Sequence, residues 1–191
     1  MNHRKVLIIL ILVFVVLIAG ASVLYNNLRQ SMTPDQLATQ APTAGPEETA
    51  PTLMQAPDFT VYDAEGSEVK LSDFFGKPIV VNFWASWCGP CKMEMPDFQE
   101  KYLELGNEVT FLMVNMTDGD SETVEIASDF IAREGYTFPV FFDTASSAAM
   151  TYGVYSLPST YFIDAEGYAV ARATGAIDGA TLQQGIDLIC P

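Results

Sequence analysis

Two cysteines in the stretch WCGPC, Cys88 and Cys91, are the residues of this chain whose type and spacing are best suited to chemistry. A CxxC pair can hold a metal, form a structural bridge, or cycle between dithiol and disulfide. A structural zinc site needs four ligands, and the chain adds only Cys190 and His3 to this pair, which disfavours a metal site. A structural bridge across two residues gains little loop entropy, so a redox-active disulfide is the favoured interpretation.

The pair lies where an apolar run gives way to a helical stretch, and this position favours an ionised first cysteine. A thiol at a helix N-terminus meets unpaired backbone N–H groups and the positive end of the helix dipole, which lower its pKa. We therefore predict that Cys88 is the exposed, attacking sulfur and that Cys91 is shielded and resolves the mixed disulfide. Pro90 suits the first helical turn. Trp87 is expected to form an apolar wall beside the sulfur, and Gly89 leaves an incoming substrate unobstructed.

Strands and helices must position the cysteine pair, and the sequence predicts such elements both before and after it. Apolar runs rich in β-branched and aromatic residues predict buried strands, and stretches with helical spacing follow them. The predicted elements are a hairpin at 59–71, strands at 79–84, 109–116 and 138–142, helices at 91–105, 120–136, 146–152 and 178–189, and two strands within 156–175. This alternation predicts an α/β domain with a mixed sheet.

Two stretches of the chain resemble the landmarks of a known fold. VVNFWASWCGPCKMEMP resembles the active-site segment of thioredoxin-fold oxidoreductases, which carry W-C-G-P-C between a central strand and a helix. SLPSTYFID resembles the second landmark of that fold, a cis-proline loop that lies against the CxxC. The resemblance implies that the Leu157–Pro158 peptide bond is cis. It also implies that these two residues bind substrate together with Trp87, Gly89 and Pro90.

The resemblance covers roughly residues 57–190 and extends to one branch of the fold. The hydrophobic N-terminal segment, the hairpin, a helix-bearing insertion around 120–137 and the stretch FPVFFD together resemble the TlpA/ResA-like branch. Members of that branch are membrane-tethered extracytoplasmic thiol-disulfide oxidoreductases, several of which serve cytochrome c maturation. The expected fold is therefore a thioredoxin fold with an N-terminal β-hairpin and a central helix-bearing insertion, preceded by one transmembrane helix.

One departure from thioredoxin concerns proton transfer at the inner cysteine. Thioredoxin carries a buried aspartate on the strand before the motif, and the matching residue here is Asn82, which cannot exchange a proton. Glu94 lies three residues after Cys91, on the same side of the predicted helix, and the ResA-like branch has a glutamate at this place. The resemblance implies that Glu94 takes over proton handling for Cys91. The alternative is a solvated carboxylate on the helix surface.

Other residues near the motif and at the C-terminus have simpler interpretations. Met93, Met95 and Phe98 are expected to pack in the core and on the helix, and to take no part in a cofactor site. Cys190, next to the C-terminus, is expected to be an inert thiol.

An apolar segment near the N-terminus predicts a membrane anchor. Residues 6–25 carry no charged side chain, and twenty helical residues span about 30 Å, the hydrocarbon thickness of a bilayer. Arg4 and Lys5 precede the segment, so the positive-inside rule predicts a cytoplasmic stub of residues 1–5 and an exported remainder. A cleaved signal peptide is the alternative, because residues 19–21 (AGA) resemble a cleavage site, but the segment is long for such a peptide.

A linker is predicted between the membrane segment and the exported domain. Residues 26–56 carry four prolines among Ala, Thr, Gln and Gly and show no sustained helical or strand periodicity, so they are expected to tether a domain of residues 57–191. The whole chain has a formal net charge of −15 at pH 7. Nucleic acid and anionic lipid surfaces are therefore poor partners for it.

These features together predict a thiol-disulfide oxidoreductase anchored in the cytoplasmic membrane, with its N-terminus inside and its thioredoxin-like domain outside. The Gly-Pro dipeptide resembles that of reducing thioredoxins, so we expect it to reduce disulfides in exported clients, such as an apocytochrome c or an exported repair enzyme, without cofactor or metal. A reductase in an oxidising compartment needs an electron donor, and the resemblance implies a membrane thiol relay of the CcdA/DsbD type. Two alternatives stay open: an oxidase that introduces disulfides into exported proteins, and a non-enzymatic thioredoxin-fold docking module.

Overall fold

The computed structural model describes residues 37–39 and 54–190. The predicted cytoplasmic stub, the membrane segment 6–25 and most of the predicted linker lie outside these ranges. Among the described residues, no helix is long and apolar enough to cross a bilayer. The transmembrane helix therefore stays a prediction from the sequence.

Strands and helices alternate through the described residues in the order that the sequence predicts. The strands are β1 (Leu37–Thr39), β2 (Met54–Gln55), β3 (Thr60–Tyr62), β4 (Glu68–Lys70), β5 (Ile79–Trp84), β6 (Thr110–Asn115), β7 (Val140–Phe142), β8 (Ser159–Ile163) and β9 (Tyr168–Thr174). The helices are α1 (Gly89–Leu105), α2 (Val124–Glu134), α3 (Ser147–Tyr152) and α4 (Gly179–Ile189), and a 3-10 turn at Leu71–Phe74 follows β4. The predicted hairpin, buried strands and helices are all present, with bounds that differ by a few residues.

The strands of this part of the chain form one mixed sheet with the order β1-β9-β8-β5-β6-β7-β3-β4, and β2 also pairs with β9. The central strand β5 runs parallel to β6 and antiparallel to β8. β6 and β7 are parallel, whereas the hairpin of β3 and β4 joins the far side of β7 in antiparallel pairing. The predicted α/β class with a mixed sheet is confirmed.

All of β5 is buried, and its side chains alternate between two cores. Val80 and Trp84 belong to the core that includes side chains of α1, α2 and α4. Val81 and Phe83 belong to the opposite core, which includes the hairpin and α3. Asn82 has the same parity as Val80 and Trp84, so this polar residue points from the middle of the sheet toward the face that α1 covers.

Helix α4 approaches the sheet closely at Gly185. A Cβ atom added there would lie 2.2 Å from atoms of the Phe162 ring on β8. Phe162 is fully buried, so the ring has little room to move. Glycine at this position is what allows the helix and the sheet to pack this closely.

Two short strands lie within the range of the predicted linker. Residues 26–56 show no sustained strand periodicity in the sequence, yet β1 and β2 fall within this range and both pair antiparallel with β9. Ala56 is buried, and its N–H donates to the Gly167 carbonyl at 2.8 Å. Such pairing depends on backbone hydrogen bonds along a sheet edge, so the side-chain sequence of two- and three-residue strands carries little sign of it.

Candidate redox site

Cys88 and Cys91 lie where β5 ends and α1 begins, as predicted. The two sulfurs form a disulfide with an S–S distance of 2.06 Å. Cys88 is the N-cap residue of α1, and its sulfur accepts a hydrogen bond of 3.2 Å from the Cys91 N–H. When the disulfide opens, the same N–H group and the helix N-terminus favour a thiolate at Cys88.

The exposure of the two cysteines differs from the prediction in one respect. Cys91 is fully buried, as expected, but Cys88 is only 4% exposed, although an exposed sulfur was predicted. Cys88 nevertheless lines a surface groove, whereas Cys91 does not. Residues from the loop before β8 form another part of the wall of this groove.

The groove beside Cys88 has a volume of about 450 Å³. Its wall is largely apolar, and it is lined by Trp87, Cys88, Gly89, Pro90, Met116, Asp118, Val154, Tyr155, Ser156 and Leu157. Trp87 is 60% exposed and Tyr155 is 97% exposed, so two aromatic side chains stand free beside the reactive sulfur. Exposed aromatic residues around a groove are typical of a site that binds another molecule.

The structure separates the predicted substrate-binding residues into two groups. Trp87, Gly89, Pro90 and Leu157 line the groove, as the prediction requires. Pro158 is buried and is not part of the groove lining, so its role in substrate binding stays a prediction from the resemblance. The Leu157–Pro158 peptide bond is cis, as predicted.

Asp118 is the acidic residue of the groove lining. Hydrogen bonds from the Ser121 hydroxyl and from the backbone N–H groups of Glu122 and Asp120 lower the pKa of Asp118 to about 2. The groove therefore carries a negative charge at one point of an otherwise apolar wall throughout the physiological pH range.

Glu94 is buried inside the domain, one helical turn after Cys91. Its side chain is only 1% exposed, which excludes the alternative of a solvated surface carboxylate. Its Oε1 accepts a hydrogen bond of 2.8 Å from Asn82 Nδ2, and its Oε2 accepts one of 3.0 Å from the Ile177 N–H. Asn82 Nδ2 also donates to Thr160 Oγ1 at 3.0 Å. The position that holds an aspartate in thioredoxin thus holds an amide that binds a carboxylate from α1.

Burial raises the pKa of Glu94 from 4.5 to about 7. The hydrogen bonds from Ile177 and Asn82 favour the charged form and lower the pKa, whereas the nearby charge of Asp97 raises it. Burial is the strongest of these effects, so the carboxyl group titrates close to neutral pH. A group of this kind can both accept and return a proton under physiological conditions.

One buried carboxylate near the site was missed by the sequence analysis. Glu122 is fully buried and binds both the N–H and the hydroxyl of Ser86, two residues before Cys88. In the sequence it lies within the acidic stretch DGDSE, where nothing distinguishes it from solvated neighbours. Only the tertiary structure brings it to the active-site loop.

The remaining residues near the motif differ in their exposure to solvent. Met95 and Phe98 are buried in the core, as predicted, but Met93 is 70% exposed, which corrects the expectation of core packing. Met93 lies on the solvent side of α1, away from the stripe that contains Cys91. Cys190 is a free, half-buried thiol, and burial raises its pKa, so it is poorly suited to act as a nucleophile.

Sequence comparison identifies the relatives of the chain. The sequence model of the AhpC/TSA family matches residues 53–171. Thiol-disulfide oxidoreductase ResA from Bacillus thuringiensis subsp. konkukian is 36% identical over 141 residues, which cover 72% of this chain and 78% of the relative. ResA from Bacillus subtilis is 34% identical over 137 residues, which cover 71% of this chain and 74% of the relative.

Solved structures with the same architecture support this relationship. A structure described as thiol:disulfide interchange protein DsbE from Chlorobium tepidum is 31% identical with a TM-score of 0.62, covering 70% of this chain and 94% of that chain. The exposed lipoprotein thioredoxin Etrx1 from Streptococcus pneumoniae is 33% identical with a TM-score of 0.58, covering 69% of this chain and 98% of that chain. The chain therefore belongs to the AhpC/TSA family, and it is a ResA-like thioredoxin-fold thiol-disulfide oxidoreductase.

Proposed function

We propose that this enzyme reduces disulfide bonds in exported proteins, with its catalytic domain outside the cytoplasmic membrane. The observation that carries the chemistry is a CxxC disulfide at a helix N-terminus, combined with a buried carboxyl group, Glu94, whose pKa is about 7. The first element supplies a nucleophile and a resolving thiol, and the second supplies a proton acceptor on the same helix.

The reaction begins from the reduced enzyme with Cys88 as the nucleophile. The Cys88 thiolate attacks one sulfur of the client disulfide, so a new S–S bond joins enzyme and client while the other client sulfur leaves as a thiolate. The N-terminus of α1 stabilises the attacking thiolate, because the Cys91 N–H donates to this sulfur and the helix dipole has its positive end there. The groove beside Cys88 holds the client segment that carries the disulfide.

The second step closes the enzyme disulfide. Cys91 loses its proton to Glu94, and the resulting thiolate attacks the Cys88 sulfur, which releases the second client sulfur as a thiolate. The two client thiolates take up protons from the solvent to give the dithiol. Two electrons pass from the enzyme to the client, and the enzyme ends as the Cys88–Cys91 disulfide. Because Cys91 and Glu94 are both buried on α1, three residues apart, the proton moves over a short distance inside the domain.

The cycle needs a donor that reduces the enzyme again. We propose a membrane-embedded thiol relay of the CcdA/DsbD type for this role, because a reductase in an oxidising compartment has no soluble source of electrons. Apocytochrome c and exported repair enzymes are the proposed clients. The apolar groove and its exposed Trp87 and Tyr155 suit an unfolded or extended client segment, which presents its disulfide together with apolar side chains.

The proposed location depends on the N-terminal segment and on one relative. Residues 6–25 form an uncharged apolar run that follows Arg4 and Lys5, which is the pattern of a signal anchor with its N-terminus inside. Etrx1 of Streptococcus pneumoniae, at 33% identity, is described as an exposed lipoprotein. Protease treatment of intact protoplasts tests the location: the domain should be digested while cytoplasmic proteins survive. A protected domain would contradict the proposal.

The reduction potential of the full-length chain in detergent tests the direction of the reaction. We expect a value near that of thioredoxin, about −270 mV, measured by equilibration with glutathione or dithiothreitol buffers. A potential near that of DsbA, about −120 mV, would contradict the reductase and favour the oxidase alternative. Turnover of a model disulfide such as insulin distinguishes either enzymatic function, reductase or oxidase, from a docking module, because a docking module would show no turnover.

A further inference from the structure

The buried carboxylate of Glu122 joins the insertion between β6 and α2 to the active-site loop. Its Oε1 accepts a hydrogen bond of 2.7 Å from the Ser86 N–H, and its Oε2 accepts one of 2.6 Å from Ser86 Oγ. Asn115 Nδ2, at the end of β6, also donates to Oε1. Glu122 is fully buried, so three donors surround a carboxylate that has no access to solvent.

The orientation of these donors is fixed by further contacts. Asn115 Oδ1 accepts a hydrogen bond of 2.8 Å from Thr117 Oγ1, which leaves the Nδ2 group of the same amide to face Glu122. The Glu122 backbone is held by Asp118, because the Glu122 N–H donates to Asp118 Oδ1 at 2.8 Å and the Asp118 N–H donates to the Glu122 carbonyl at 3.0 Å. Residues 118–122 therefore form a hydrogen-bonded turn that holds the Glu122 carboxylate in place.

No positive side chain neutralises Glu122 within the described ranges. The ion pairs of residues 54–190 are Lys101–Glu104 and Arg133–Glu134, and both lie on the surface. Removing a carboxylate from water without a cation costs free energy, and only its hydrogen bonds offset that cost here. The hydrogen bonds of Glu122 therefore restrain the backbone that donates to it, which belongs to the loop before Cys88.

The loop that Glu122 holds determines where Cys88 lies. β5 ends at Trp84, and Ser86 stands between this strand and the N-cap sulfur. The Cys88 N–H donates to the Ala85 carbonyl at 3.1 Å, so residues 85–88 form a tight turn. Glu122 holds this turn at Ser86, from the side of the groove that Asp118 lines.

We propose that Glu122 is a positioning residue for thiol-disulfide exchange, which holds Ser86 and thereby fixes the Cys88 sulfur at the helix N-terminus and toward the groove. This role concerns the established exchange reaction and is independent of its direction. With this role, the segment between β6 and α2 takes part in the exchange reaction, although it lies outside the CxxC motif. Small displacements of a reacting group slow a reaction strongly, so loss of the anchor should appear in the exchange rate.

Three variants of the full-length chain in detergent test the proposal. Glu122→Ala leaves the Ser86 N–H and the Asn115 amide without a partner, and we expect exchange with a model disulfide to slow by about tenfold or more. Glu122→Gln keeps all three contacts, because its Oε1 accepts from both N–H donors and its Nε2 donates to Ser86 Oγ. It should restore the rate to within about threefold of wild type. Ser86→Ala removes one contact and should slow exchange by about threefold.

A matched control separates positioning from general loss of stability. Asp143 is also a buried carboxylate, and it accepts hydrogen bonds from the Ala148 and Ala149 N–H groups at the start of α3. Asp143→Ala should lower the melting temperature but leave the exchange rate and the pH profile of Cys88 alkylation unchanged. Glu122→Ala should alter the exchange rate and the pH profile of Cys88 alkylation. The loss of rate in the double variant with Ser86→Ala should be smaller than the sum of the two single effects.

Two outcomes overturn the proposal. One is a folded Glu122→Ala variant with the wild-type exchange rate and the wild-type alkylation profile. The other is an equal loss of rate in Asp143→Ala, which would assign the effect to stability. If Glu122→Ala does not fold, Ser86→Ala decides, because a wild-type rate and pH profile in that variant would contradict the slowing of about threefold that the proposal requires.

Discussion

Replacing Glu94 by glutamine removes the proposed proton acceptor while keeping the size of the side chain and its contact with the Ile177 N–H. The amide oxygen of the introduced glutamine can accept from the Ile177 N–H, and its amide nitrogen then faces Asn82. Asn82 Oδ1 is buried without a hydrogen-bond partner in the described structure. Rotation of the Asn82 amide by half a turn brings this oxygen to the new donor and to the Thr160 hydroxyl, which can donate to it. The Asn82 Nδ2 group gives up its contacts with Glu94 and Thr160 in exchange.

The expected loss concerns the step that closes the disulfide. Wild-type Glu94, with a pKa of about 7, is ionised in about half of the molecules at pH 7 and can take the Cys91 proton. General-base catalysis contributes at least about 10²-fold, so we expect Glu94→Gln to slow disulfide closure by about that factor. The rate of the variant should also lose the transition near pH 7, because the group that titrates there is gone.

The same substitution should increase stability at alkaline pH. The pKa of Glu94 rises from 4.5 in the unfolded chain to about 7 in the folded domain, so the free energy of unfolding falls as pH rises between these values. The difference amounts to about 3 kcal/mol above pH 7. Glutamine has no charge to bury. Glu94→Gln should therefore match wild type near pH 4.5 and unfold at higher urea concentration than wild type at pH 8.5.

Stopped-flow fluorescence of the reduced full-length chain mixed with a model disulfide measures closure between pH 5 and 9, and urea titrations at pH 4.5 and 8.5 measure stability. Glu100→Gln, an exposed carboxylate on the same helix, is the matched control and should change neither. A loss of rate together with a gain in alkaline stability excludes damage to the fold. If Glu94→Gln matches wild type in rate and pH dependence over this range, proton transfer belongs to solvent and the reasoning is refuted.

Three further predictions follow from the site and its packing. Cys88→Ser should abolish disulfide reduction, and Cys91→Ser should accumulate mixed disulfides with clients on non-reducing gels; faster alkylation of Cys91 than of Cys88 near neutral pH would reverse these roles. Asn82→Asp brings a second carboxylate to a contact that now measures 2.8 Å, so it should raise the pKa of Glu94 and move the pH profile of disulfide closure upward; an unchanged profile would contradict the contact. Gly185→Ala forces a methyl group into the ring that lies 2.2 Å away and should destabilise the domain by about 1–3 kcal/mol in urea titrations, and wild-type stability would show that helix and sheet can separate there.

The sequence was sufficient wherever the signal is local. The CxxC at a strand–helix junction and the alternating apolar runs depend on neighbours in the chain, and the structure contains both. The cis bond before Pro158 came from resemblance to a known loop, and it is also present.

The remaining features depend on contacts between distant segments. Glu94 accepts a hydrogen bond from Ile177, which lies two residues before α4 and 83 positions from Glu94 in the chain. Glu122 reaches Ser86 across 36 positions, and its acidic neighbours in the sequence conceal it. The groove that Cys88 lines is completed by residues that the chain supplies much later, at 154–157. Composition and periodicity contain no information on such contacts.

The hydrogen bond from the Ile177 N–H to Glu94 makes a single backbone amide a spectroscopic reporter of the proton reservoir. An amide that donates to a carboxylate changes its resonance frequency when that carboxylate gains a proton. In a two-dimensional ¹H–¹⁵N NMR spectrum the Ile177 signal should therefore titrate with a midpoint near pH 7, the pKa of the group it touches. Comparing this curve in the oxidised and dithiol forms would read the electrostatic coupling between the sulfurs and the carboxyl group directly, in a domain whose many other carboxylates would otherwise obscure it.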